Sequence, residues 1–81
     1  MNEERIPLSA LAPGQVGVVR QLAGGRGFVS RLATLGFTPG VKVNMVQNFG
    51  RGPLIVLVRD TRVALGRGEA RKVLVGRMTR G

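Results

Sequence analysis

The chain has 81 residues, with 13 Gly, no Cys and no His, and carries Lys+Arg 13 against Asp+Glu 4 for a net charge of +9. This length suits one small domain with a modest core, burying about 60% of its unfolded surface. The lack of Cys and His excludes a disulfide framework, a thiolate-held metal and imidazole chemistry. The surplus charge favours an anionic partner: nucleic acid, an acidic protein face or an anionic leaflet.

The opening stretch MNEERIPLSALAPG has no apolar core of signal-peptide length. The longest apolar run, LIVLV at 54–58, is far short of the roughly 20 residues that span a bilayer. A soluble, unprocessed, cytoplasmic chain is expected. Leu8 and Leu11 read as a short turn that plugs one end of the core, and Pro13-Gly14 as a chain reversal. QVGVVRQL, 15–22, reads as a strand with Val16, Val18 and Leu22 on one face and Val19 on the other. Gly17 marks a weak point or a bulge in it.

AGGRG, 23–27, is a flexible connection into a helix. On that helix Phe28, Leu32 and Leu35 recur at i, i+4 and i+7, with Val29 beside them. No Ser, Thr or Asp precedes it, so its start is poorly capped. Its stop is tightly specified. Gly36 suits the left-handed position after the last turn, and Phe37 folds back on that turn. Pro39-Gly40 then fits a type II turn. Leu32 and Leu35 are expected in the core.

VKVNMVQNF, 41–49, alternates: Val41, Val43 and Met45 against Lys42, Asn44 and Asn48. GRGP, 50–53, is a hairpin loop. LIVLV reads as a central strand covered on both sides. RDTR turns into a strand at 63–65. GRGEARK, 66–72, makes one helical turn with Ala70 inward, and VLV, 73–75, is the last strand. GRMTRG is expected to fray. The fold class expected is mainly β: a small five-stranded SH3-like barrel, with one short α-helix after the first strand and a helical turn before the last. An OB-fold is the competitor, but it would place its helix between the third and fourth strands.

In order, LSALAPGQVGVV, RLATLGFTPG, GPLIVLV and VALGRGEARKVLV resemble the motifs of the FeoA family. Those motifs are a Leu-x-x-Leu-x-x-Gly opening, Arg-Leu then Leu-Gly and Pro-Gly, a Gly-Pro entry to the middle strand, and an Ala-Leu, Ala, apolar-x-Val ending. The resemblance covers about residues 8–75 and makes 1–81 a single FeoA-like domain. It implies an SH3-like barrel and a small accessory protein of ferrous iron uptake. Its implied partner is the cytosolic part of FeoB, a membrane transporter with a GTP-binding domain. Similar domains also occur fused to FeoB and at the end of iron-dependent repressors. The chain departs from the family at RDTR, where Gly is frequent, and at Gly66 and Gly68, which loosen the helical turn.

The residues themselves point away from chemistry. Fe(II) is held by imidazole, thiolate or clustered carboxylates; here Glu3, Glu4, Asp60 and Glu69 are spread apart, and Met1, Met45 and Met78 are poor ligands. No metal, no cofactor and no small-molecule substrate is expected, nor an enzyme, since no base pairs with Ser9 or Ser30. GGRG lacks the Gly-Lys of a phosphate loop. The alternative function is a basic β-barrel that binds nucleic acid, but such binders interleave cations with stacking aromatics. Phe28 and Phe37 belong to the helix and its stop, which leaves Phe49. Candidate partner contacts are Arg31 and Leu32 on the helix, and Phe49 and Arg51 at the hairpin tip. Leu35, Gly36, Pro39 and Gly40 form the structural motif. An anionic inner leaflet is a further possible surface.

Overall fold

The computed structural model describes residues 2–79. Six strands and two helices follow in order: β1 Asn2–Pro7, β2 Val16–Leu22, α1 Arg26–Thr34, β3 Lys42–Gln47, β4 Leu54–Val58, β5 Thr61–Leu65, α2 Arg67–Ala70 and β6 Val73–Thr79. A 3-10 turn, Leu8–Ala10, joins β1 to β2. All strand pairs are antiparallel, in the order β1-β6-β2-β3-β4-β5. The fold is mainly β with a helix after the first barrel strand and a helical turn before the last, as expected, but it has six strands and not five.

The additional strand is β1. Its partners lie at the far end of the chain, Asn2 opposite Thr79 and Pro7 opposite Leu74. The same pairing extends β6 to Thr79, so the closing segment does not fray over 76–79; Arg80 and Gly81 lie outside the described residues. On β2, Val19 is fully buried and Val16 is 44% exposed, on opposite faces as expected; the core face is the one that carries fewer valines. Gly17 explains it. Gly17 points inward, and a Cβ there would stand 3.0 Å from Val75 and 3.2 Å from Leu11. The core position belongs to a residue with no side chain, and its neighbours fill the space. The bulge in β2 falls instead at Arg20, between Val19 and Gln21.

One core runs through the sheet. Leu8 and Leu11 enter from the 3-10 turn, Leu32 and Phe37 from α1 and its stop, and Ala70 from α2, against Val43, Met45, Leu54, Val56, Val58, Val73 and Val75. β4 alternates and is not covered on both sides: Leu54, Val56 and Val58 are buried, while Ile55 and Leu57 are half-buried on the outer face.

The helix stop follows from its residues. The Phe37 N–H donates to Leu32 O at 2.9 Å and the Gly36 N–H to Ala33 O at 3.0 Å, the two bonds of a Schellman motif. Gly36 has φ +105°, which a side chain would strain. Phe37 and Leu32 meet in the core, completing the motif's apolar contact. Val41 N–H then donates to Thr38 O at 3.1 Å with Gly40 at φ +94°, closing the type II turn over Pro39. Leu35 is not in the core. It is the helix's C-cap and is 41% exposed, because the chain has already begun to turn away there.

Candidate functional site

The β3–β4 loop is built on Asn48. Its Nδ2 donates to Ser9 O at 3.0 Å and to Leu11 O at 2.7 Å. Its Oδ1 accepts from Gly50 N–H at 3.0 Å and from Arg67 Nη2 at 2.9 Å. Both amide protons and both oxygen lone pairs are used. One side chain therefore ties the root of the loop to the 3-10 turn and to α2. Beyond it the chain turns through Gly50 and Gly52, both at positive φ. Phe49 stands out from this base, 75% exposed. Arg51 is exposed beside it and makes no ion pair among the described residues. A fixed root under an exposed aromatic lowers the ordering cost of any contact the ring makes.

The helix offers less. Leu32 is fully buried, so a partner cannot reach it without opening the core. Arg31 is exposed but forms an ion pair with Glu69, which links α1 to α2. The Glu69 carboxylate also accepts from Gly66 N–H at 3.2 Å, steadying the short α2 turn despite its two glycines. Phe28 is half-buried, with Lys72 Nζ 5.5 Å from its ring centre. The structure thus separates the two expected surfaces: Phe49 and Arg51 together at one tip, and Arg31 engaged elsewhere. Leu35, Gly36, Pro39 and Gly40 shape the exit from α1.

Electrostatics point the same way. The three glutamates are each paired: Glu3 with Arg20, Glu4 with Arg77, and Glu69 with Arg31. The hydrogen bond from Arg20 holds the Glu3 carboxyl below the ordinary glutamate range. The glutamate charge is therefore neutralised within the fold, while Arg26, Lys42, Arg51, Arg62 and Arg71 have no ion pair among the described residues. Among those residues there is no group of three or more His, Cys, Asp or Glu, and no cavity or cleft forms. No helix among the described residues is long and apolar enough to cross a membrane. Sequence reasoning missed Asn48 as the loop's anchor. Its partners are carbonyls 37 and 39 positions away, which no local pattern reveals.

The profile of the FeoA domain matches residues 6–77. A Methanocaldococcus jannaschii protein named Fe(2+) transport protein A is 32% identical over 69 residues, 85% of this chain and 83% of that protein. The crystal structure of an iron uptake regulatory protein, FeoA, superimposes with a TM-score of 0.88 at 33% identity, over 93% of this chain and 100% of that one. The Stenotrophomonas maltophilia FeoA, solved with zinc and described as a procaryotic SH3 domain protein, is 38% identical with a TM-score of 0.70. That match covers 84% of this chain and 86% of the other.

Proposed function

The chain belongs to the FeoA family, and on that premise we propose that it is a cytoplasmic accessory protein of ferrous iron uptake that acts by contact with the cytosolic part of a FeoB-type membrane transporter. The observation that carries the contact is Phe49, 75% exposed on a loop whose root Asn48 fixes. An exposed aromatic beside an unpaired Arg51 has the composition of an interface anchor. The net charge of +9 suits an acidic docking face beside an anionic inner leaflet. Iron is then the cargo of the partner and need not touch this chain.

The test is binding of the purified protein to the cytosolic part of such a transporter. Phe49→Ala is expected to weaken it about tenfold or more. Arg51→Glu is expected to weaken it less, and mainly at low salt. Neither change removes a core contact, so both variants should melt with the parent. Binding that survives both substitutions sinks the named surface. Recovery of nucleic acid alone, released steeply by salt, favours the basic-barrel alternative.

A further inference from the structure

β5 is an edge strand whose only paired neighbour among the described residues is β4. The Arg59-Asp60 turn before it has φ 49° and 63°, the two left-handed residues of a type I′ hairpin. Such a turn makes Val58 and Thr61 the first hydrogen-bonded pair, and bonding alternates from there. Val63 and Leu65 therefore bond to β4, while the N–H and C=O groups of Arg62 and Ala64 point away from it. Among the described residues no turn, loop or cap hydrogen bond reaches either of them.

No strand lies beyond the side chains of this edge among the described residues. Val63 is 9% exposed, against 2% or less for every other residue of the core, so the core thins here. On the outer face the row Val16, Asn44, Leu57, Arg62 crosses four strands. Arg62 is exposed and has no ion pair among the described residues. Arg59 and Arg67 flank the strand, with Asp60 the one acid between them.

We infer that β5 takes a further strand from another protein, an extended segment in which apolar and acidic residues alternate. Main-chain bonds to Arg62 and Ala64 give the pairing, as in other strand additions. Residues of the added strand that face inward lie over Val63 and want to be apolar; those that face outward lie beside Arg62 and want to be acidic. A second copy of this chain fits worse, since it brings the same +9 charge and the same run of arginines. This goes beyond the iron-uptake reading and holds whichever protein supplies the strand.

The test follows amide hydrogen exchange of the full chain by NMR, with a soluble peptide that alternates valine and glutamate, and with a valine–lysine peptide of equal length. Saturating valine–glutamate peptide is expected to slow exchange at Arg62 and Ala64 about fivefold or more, and the valine–lysine peptide to leave both unchanged. Ala64→Pro removes an outward donor without breaking a bond to β4, so the peptide should no longer protect Arg62. Arg62→Glu keeps the backbone edge and should reverse the preference between the two peptides. No slowing, or equal slowing by both peptides on the parent chain, overturns the inference. So does slowing that rises with protein concentration alone, which would make a second copy the occupant. Transporter binding is read separately through Phe49→Ala, so either idea can fail while the other stands.

Discussion

Of the two edge strands, β1 carries Glu3, Glu4 and Arg5 and ends in Pro7, whereas β5 carries one charge, Arg62, and no proline. Charged side chains and proline are the usual means by which an edge is kept from pairing with another chain. β1 has both, and ion pairs lock its charges onto the neighbouring strands: Glu3 to Arg20 and Glu4 to Arg77. β5 has no proline and only the one charge, which no ion pair ties down among the described residues, yet it supplies Val63 and Leu65 to the core. β1 is a guarded strip laid over β6. β5 is a wall of the core left open on its far side. In an 81-residue fold, the wall cannot be made polar without losing the core it closes.

The largest effect that separates the two edges is on stability. Leu65→Ala on β5 removes a side chain that is 2% exposed and is expected to cost about 2–5 kcal/mol. Ile6→Ala on β1 removes one that only packs against the core's margin and should cost roughly 1 kcal/mol. Urea denaturation of both variants measures the difference. Equal losses would mean that β1 is as much a part of the wall as β5.

The next effect is smaller and of opposite sign. The β4–β5 turn places Arg59 and Asp60 at positive φ, where L side chains are strained. Asp60→Gly is expected to stabilise the protein by about 0.5–1 kcal/mol. Arg59→Gly should gain less. The Arg59 side chain packs on Gly36, and its Nη2 donates to Thr38 Oγ1 at 3.4 Å, joining this turn to the exit of α1. Melting curves of the two variants rank them. A stabilised Asp60→Gly protein would show that the turn, and not the edge, is where β5 carries its strain.

What the sequence revealed divides along the same lines. The exit of α1 was legible because Gly36, Phe37, Pro39 and Gly40 act on neighbours within a few residues. The β3–β5 meander was legible from its alternation. β1 was not, because its pairing joins Asn2 to Thr79 and its residues are polar. The alternation of β2 was legible but not which of its faces is the core, because Gly17 holds a core position without adding to the apolar pattern. At the candidate site, Phe49 and Arg51 stood out by composition alone. Leu32 was legible as core and is fully buried; it was named as a contact too because helical spacing cannot tell a core leucine from a docking one. Arg31 was legible as a surface cation, but its engagement with Glu69, 38 positions away, was not.

The smallest effect lies in the guard of β1. Arg20, the bulged residue of β2, donates from Nε to Glu3 Oε1 at 2.9 Å and from Nη2 to Oε2 at 2.7 Å. β6 runs between the two strands, and the Glu3 side chain crosses it over Gly76, where a Cβ would stand 2.8 Å from Glu3 Cγ. The bond from Arg20 lowers the Glu3 carboxyl below its ordinary range. A carboxyl lowered in the folded state contributes stability above its unfolded midpoint and loses it as pH falls through the folded one. The contribution is small because the pair is solvent-exposed, so the group's own titration is the better readout. Carbon-13 NMR of the Glu3 carboxyl should show a midpoint below the glutamate range in the parent. Arg20→Gln should return it to that range, and Gly76→Ala should do the same by displacing the side chain. A midpoint unmoved by both would mean that β1 is guarded by the presence of its charges and not by a bridge across β6. The contrast with β5 would then rest on composition alone.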